Sequence, residues 1–252
     1  MNWGVIAFID VLGFKGIWNR GHSADEILST LETVRKFATE LKEQQNQMSG
    51  GDLWENLSLD TRMFSDTLVI SCHLPQGRIE PDWQEDYESI RRYVLLRYVV
   101  LMLSSLVAAA ANGECPLLYR GCVATGLFAM NDFAMLGPAV DEAGSFFESA
   151  DGAFVFLCPS AAKTYEQRPG LLSRATFPYF LEYDVPLKET KTLPTYTINP
   201  LLRAPHEMRP DISAALMSTF GPATEIPHAL LTKHTNTQRF LHHAQKSLPP
   251  SW

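Results

Sequence analysis

The chain has 252 residues, enough for one large domain or one domain with an appendage. An apolar fraction of 46% supplies a core and excludes intrinsic disorder. The formal charge of −7 argues against broad nucleic-acid binding, which needs a basic face, while leaving room for a nucleotide whose charge metal ions could offset.

Val5 to Phe14 reads as a buried strand, apolar on both sides, with one carboxylate, Asp10, inside Phe8-Ile9-Asp10-Val11-Leu12-Gly13-Phe14. An ionised Asp in such a run is costly unless something cationic meets it. Ser23-Ala24-Asp25-Glu26 is a capping box, and Ile27, Leu28, Leu31, Val34, Phe37, Ala38 and Leu41 then recur at helical spacing. Gln44 to Asp52 reads as a polar connection. Leu57 to Met63 and Thr67 to Leu74 read as strands with Phe64-Ser65-Asp66 at the turn, so Asp66 repeats the arrangement of Asp10.

After an acidic loop over Pro75 to Asp86, a long helix is predicted over Tyr87 to Ala111, stopped by Asn112-Gly113. Its apolar stretch Tyr93 to Ala111 approaches the roughly 20 residues a membrane span needs. Arg97 and the Ser104-Ser105 pair favour a buried helix instead. Leu117 to Gly126 is a further strand. Gly137-Pro138 opens a helix running to about Ala150. Ala153 to Leu157 is a short strand, Ser160 to Gln167 a short helix, and Phe180 to Leu187 with Leu193 to Ile198 a closing pair of strands.

Strands interleaved with helices indicate an α/β or α+β sandwich, with helices on a mainly antiparallel sheet. From Asn199 on, proline becomes frequent and strand signals stop. Asp211 to Phe220 and His228 to Leu248 are expected helices, so residues 1–200 form the main domain and 201–252 a helical appendage. His242-His243 lie there without ligand partners at useful spacing and default to solvated surface, whereas Phe146 and Phe147 read as core.

Cys72, Cys115, Cys122 and Cys158 show neither metal-type nor disulfide-framework spacing and are read as reduced thiols in a cytoplasmic protein. Met1 to Phe8 lacks a basic region and Asp10 interrupts the apolar run, so no signal peptide is expected.

Taken in order, the segments Phe8-Ile9-Asp10 through Phe14, Phe64-Ser65-Asp66, Arg120-Gly121-Cys122-Val123-Ala124-Thr125-Gly126, Gly137-Pro138-Ala139-Val140-Asp141-Glu142-Ala143 and Val185-Pro186-Leu187-Lys188 resemble a class III nucleotidyl cyclase domain over residues 3–200. Within that family the chain is most similar to the pyrimidine cyclases of bacterial Pycsar anti-phage systems. The resemblance implies a ferredoxin-like βαββαβ core and a homodimer with active sites at the subunit interface. It places Asp10, Asp66 and the Val11 carbonyl as metal ligands, and the backbone amides of Gly13, Phe14 and Lys15 around a triphosphate. Carboxylate and carbonyl oxygens favour Mg²⁺ or Mn²⁺ over zinc. The alternative is that each aspartate caps a turn or pairs with an arginine.

The same comparison exposes departures. Asp141 stands where the family has a transition-state asparagine, Ser145 where it has an arginine, and Ala134 where it has a purine-selecting carboxylate. Arg62 falls where purine cyclases place a base-recognising lysine; it could donate to a pyrimidine carbonyl or be an ordinary strand arginine. Asp141 could accept from base or ribose, or serve the helix dipole. Arg97 is the candidate substitute for the missing arginine, with a salt bridge to Asp141 or Glu142 as the rival explanation; Arg120 reads as structural. The implied reaction is cyclisation of UTP, with CTP second, to a cyclic nucleotide read by a separate receptor effector. Neither a nucleic-acid nor a membrane partner is expected.

Overall fold

A computed structural model describes residues 1–14, 17, 22–47, 57–73, 84–111, 115–131, 133–168, 179–202, 206–222 and 224–248. Its organisation follows from strand β1 (Asn2–Val11), whose side chains alternate between the two sides of a sheet. Val5, Ala7, Ile9 and Val11 enter one apolar cluster, and Ile6 and Leu12 enter another, with Phe8 packed against it. The same period turns Asp10 toward the second side.

The first side is covered by α1 (Ala24–Gln47) and α2 (Gln84–Ala111). The capping box forms: the Ser23 N–H donates to Glu26 Oε2 at 2.7 Å and the Glu26 N–H to Ser23 Oγ at 3.2 Å. α1 runs into the expected connection because Glu43, Gln44, Gln45 and Gln47 are good helix formers and the first strong breakers are Gly50-Gly51. The span Glu88–Ala111 is long and apolar enough to cross a membrane, yet Leu96, Val99, Val100, Leu103, Leu106 and Ala110 have no exposed surface; α2 is a core helix packed with α1 on the sheet.

β2 (Ser58–Phe64) and β3 (Thr67–His73) form a hairpin whose two-residue turn is Ser65-Asp66, with Ser65 at φ 58°. β4 (Tyr119–Met130) pairs antiparallel with β1. The order β1-α1-β2-β3-α2-β4 in sequence and β2-β3-β1-β4 in space, with each neighbouring pair antiparallel, is the ferredoxin-like βαββαβ arrangement.

β4 runs four residues beyond the expected Gly126. Trp3 and Asn2 pair with Leu127 and Phe128, and β5 (Met135–Leu136), a strand not foreseen from the sequence, pairs back on Ala129 and Met130. α3 (Pro138–Phe146) closes sooner than Ala150, in a turn where Ser149 Oγ donates to the Phe146 carbonyl at 2.6 Å.

Beyond α3, β6 (Val155–Leu157) joins β4 in parallel. Past the end of β6 the β4 ladder continues onto a side chain: the Thr125 N–H donates to Ser160 Oγ at 2.9 Å, from the first turn of α4 (Pro159–Glu166). The antiparallel pair β7 (Phe180–Pro186) and β8 (Thr192–Ile198) completes a mixed α+β architecture on a mainly antiparallel sheet, with β7 outermost.

The C-terminal segment builds the second core. Leu201 and Leu202, Ile212 and Leu216 of α5 (Arg209–Ser218), and Phe240, Leu241 and Ala244 of α6 (His228–Lys246) share one apolar cluster with Ile6, Ala139 and Phe156. α6 lies along β7. Phe240 meets Tyr183 and Phe154 at 5.1 and 5.2 Å between ring centroids. His243, expected at the solvated surface, stacks on Tyr183 at 5.3 Å with Nε2 3.0 Å from the Glu182 carbonyl; His242 is exposed as expected. Phe146 and Phe147 are half-buried against the second cluster.

Candidate active site

Register places the acidic residues. On β1, Asp10 lies opposite Thr67 of β3 and opposite Arg120 of β4. One residue on, the Val11 N–H donates to the carbonyl of Asp66 at 3.3 Å, so Asp10 and Asp66 occupy the same end of adjacent strands. Asp66 is near enough for its charge to act on the Asp10 carboxyl.

Asp10 is 7% exposed, and its partner is Arg120: Nε donates to Oδ1 at 2.9 Å and Nη2 to Oδ2 at 2.9 Å. Arg120 Nη1 also donates to the Glu148 carbonyl at 3.4 Å. Burial raises the Asp10 pKa above its ordinary value. The hydrogen bonds and charge of Arg120 pull it down, and the negative charges of Asp66 and Glu148 push it up again. The pairing of Asp10 with an arginine, one of the alternatives open at the level of sequence, is present. It gives Arg120, read there as structural, a place within the acidic cluster. The clue available in the sequence was an arginine at the start of a strand able to face Asp10.

Gly121 makes that register possible. It lies opposite Ile9, and a Cβ there would sit 2.7 Å from Ile9 Cα and would run into the Phe8 carbonyl oxygen. Any side chain would push β4 from β1 and move Arg120 away from Asp10.

The chain turns after β1 at Gly13, whose φ of 72° suits a residue without Cβ. The Phe14 N–H donates to the Val11 carbonyl at 3.2 Å, so both groups belong to this turn; the Val11 oxygen retains a second lone pair. Lys15 lies outside the described residues.

The remaining candidates are spread more widely. Arg62 Nε donates to Asp60 Oδ2 at 3.2 Å along its own strand. Asp141 is exposed in the first turn of α3, where the helix dipole favours a negative charge. Arg97, the expected substitute cation, stands elsewhere. Its guanidinium lies 4.9 Å from the Tyr179 ring centroid and Nη2 donates to the Tyr179 hydroxyl at 3.3 Å. Neither proposed acid partner meets it in these contacts: the Glu142 carboxylate accepts from the Ser160 N–H at 3.1 Å and from the Ser160 hydroxyl. Arg97 occupies its apolar helix by lying over an aromatic ring, and the guanidinium in the acidic cluster is that of Arg120.

Among the described residues no group of three or more His, Cys, Asp or Glu side chains converges as a ready-made metal cage. Two carboxylates with a backbone carbonyl do fit a hard divalent cation of the Mg²⁺ type, which is commonly held by one or two carboxylates with phosphate and water oxygens completing the shell. Beside them, the buried Tyr119 hydroxyl has no hydrogen-bond partner among the described residues and feels the charge of Asp66. A buried hydroxyl left so costs about 1–3 kcal/mol, which a water or ligand oxygen would relieve.

No protein-family model matches the chain, and no curated protein matches it by sequence. Several solved structures share its general course. The catalytic core of a rhodopsin-guanylyl cyclase with converted specificity, in complex with ATPαS, is 12% identical with a TM-score of 0.46, over 78% of this chain and 94% of that one. A bacterial light-regulated adenylyl cyclase is 13% identical with a TM-score of 0.43, over 86% and 98%. The adenylyl cyclase CyaB from P. aeruginosa is 12% identical with a TM-score of 0.44, over 78% and 93%. The functional reading therefore rests on the site's own residues.

Proposed function

We propose that the chain is a metal-dependent nucleotidyl cyclase that acts on a pyrimidine nucleoside triphosphate, UTP before CTP. The observation that carries this is the convergence of Asp10 and Asp66 on adjacent strand ends, beside the Gly13 turn and the Arg120 guanidinium. The ribose 3′-oxygen attacks the α-phosphorus; the bond to the β-phosphate oxygen breaks, pyrophosphate leaves, and the hydroxyl proton is released. Mg²⁺ or Mn²⁺ held by Asp10, Asp66 and the Val11 carbonyl would lower the hydroxyl pKa and offset triphosphate charge. The Gly13 turn lets phosphate approach the backbone without a side chain between. Arg120, released from Asp10 once that carboxylate faces a cation, supplies the positive charge that Ser145 does not.

Ala134, small where the family resemblance expects a purine-selecting carboxylate, supports a pyrimidine over a purine. Arg62 and Asp141 are the donor and acceptor on offer to the base or ribose. A homodimer is supported by the apolar side chains left on the β4–β5 hairpin, with Phe133 95%, Leu136 52% and Leu127 48% exposed. The cyclic UMP product would act as a second messenger in anti-phage defence through a separate cytoplasmic receptor effector.

Incubation of pure protein with each of the four ribonucleoside triphosphates and Mn²⁺, read by mass spectrometry, tests this: cyclic UMP is expected, and product from ATP alone would remove the pyrimidine reading. The Asp10–Arg120 pair favours one other reading, a nucleotide-binding regulatory module whose metal site is closed. Absence of cyclic product from all four nucleotides would select it.

A further inference from the structure

We propose that Lys233, on the C-terminal helix α6, is a phosphate-binding residue of the candidate active site, so that residues beyond the main domain help to hold the substrate. This rests on the nucleotidyl cyclase reading and extends it to a part of the chain to which the family resemblance assigns no role.

The helix is fastened to the loop that borders the site. Thr237 Oγ1 accepts from the Ala153 N–H at 2.9 Å and donates to the Lys233 carbonyl at 2.7 Å, and Asn236 Nδ2 donates to the Asp151 carbonyl at 2.8 Å. Asn236 and Thr237 are both buried. Gly152 lies under the Phe154 ring, where a Cβ would run into it, and close to Asn236, whose Cβ would be 3.3 Å away. The same loop touches the site at its other end: the Glu148 carbonyl accepts from Arg120, and the Ser149 carbonyl accepts from the Lys188 N–H at 2.8 Å.

Lys233 precedes Thr237 by one helical turn and shares its face. Its side chain is half-buried, and the charges that act on it are those of Arg120, Asp151, Lys188 and Asp10. Burial, the largest effect, and the two neighbouring cations oppose its positive charge, while Asp151 and Asp10 favour it. No salt bridge joins Lys233 to an acid among the described residues. Two cations, Arg120 of β4 and Lys188 of the segment after β7, thus act on Lys233 of α6, while the Asp10 carboxylate is already paired with Arg120. Convergence of like charges is unfavourable until a polyanion enters, and an ammonium on a flexible stem is a good partner for phosphate oxygens.

The test uses the full chain and inorganic tripolyphosphate with Mn²⁺ as probe, by titration calorimetry, alongside nucleotide kinetics. Lys233→Gln should weaken tripolyphosphate binding and raise KM about tenfold while kcat changes less than about threefold. Lys233→Arg should restore most of the affinity, and Lys233→Met, which keeps the aliphatic stem, should lose it as Gln does. A Lys233→Met variant that binds tripolyphosphate as wild type does overturns the inference, even where cyclic product still forms and the cyclase reading stands. Lys233-dependent tripolyphosphate binding in a protein that makes no cyclic product supports the phosphate site and overturns the cyclase reading. Wild-type protein that binds no tripolyphosphate overturns the inference.

Discussion

Arg120→Met removes the guanidinium from Asp10 while keeping most of the side-chain volume. The two side chains are 12% and 10% exposed and meet at 2.9 Å, so the pair belongs to the buried class, in which loss of one partner costs about 3–5 kcal/mol. Residual solvent access points to the lower end, ~3 kcal/mol, and at roughly 2–4 °C per kcal/mol for a chain this long the melting temperature should fall by roughly 6–12 °C. The loss carries a pH signature. The Asp10 pKa stands above its ordinary value, chiefly through burial, against the pull of Arg120, and without Arg120 it rises further. A carboxyl whose folded pKa exceeds its unfolded one favours the fold while protonated. That contribution is whole below the unfolded value and is lost as pH climbs through the folded one. The variant should therefore be penalised most at neutral pH and least in acid. Urea unfolding of wild type and variant at about pH 5 and about pH 7.5 reads the gap directly. An equal gap at both, or one under ~1 kcal/mol at neutral pH, would refute the burial argument.

Asp66→Ala should lower turnover about 100-fold or more with the melting temperature little changed, since Asp66 sits half-exposed in a turn; substantial residual activity in a steady-state assay would reject it as a ligand. Mn²⁺ should raise the melting temperature of wild type and not that of Asp66→Ala, as expected for an ion bound by the folded state, checked by a thermal scan with and without the metal. Arg97→Ala should cost ~1–2 kcal/mol of stability through the lost Tyr179 contacts and leave kcat within about twofold; a large fall in kcat would return Arg97 to the site. Gly121→Ala should abolish cooperative thermal unfolding followed by circular dichroism, because the added methyl has no room beside Phe8 and Ile9.

Much of the frame was legible because local physics sets it. The Ser23 capping box, the β2–β3 turn at Asp66 and the apolar period of α1 are each decided within a few residues of chain. The adjacency of Asp10 and Asp66 followed from two similar strands with acids near their ends. The partner of Asp10 was not legible: Arg120 is 110 positions away, and only the register of β1 against β4, secured by Gly121, brings them together. Arg97 was hard to read for a related reason. A charge in an apolar helix signals that a partner exists without naming it, and here one partner is Tyr179, an aromatic ring from a distant segment. The tail was hardest to read, because Thr237, Asn236 and His243 look like ordinary polar surface until α6 is laid against β7 and the loop before β6.

The position of α6 along β7 also has a bearing on solubility. An outermost strand offers unpaired N–H and carbonyl groups that another chain can extend, and here the Glu182 carbonyl is met by His243 while Phe240 covers the Tyr183 ring. Proteolytic clipping before His228 would uncover that edge together with the apolar face of Tyr183. The shortened protein would also lose Phe240, Leu241 and Ala244 from the second core, and should expose apolar surface able to recruit further copies.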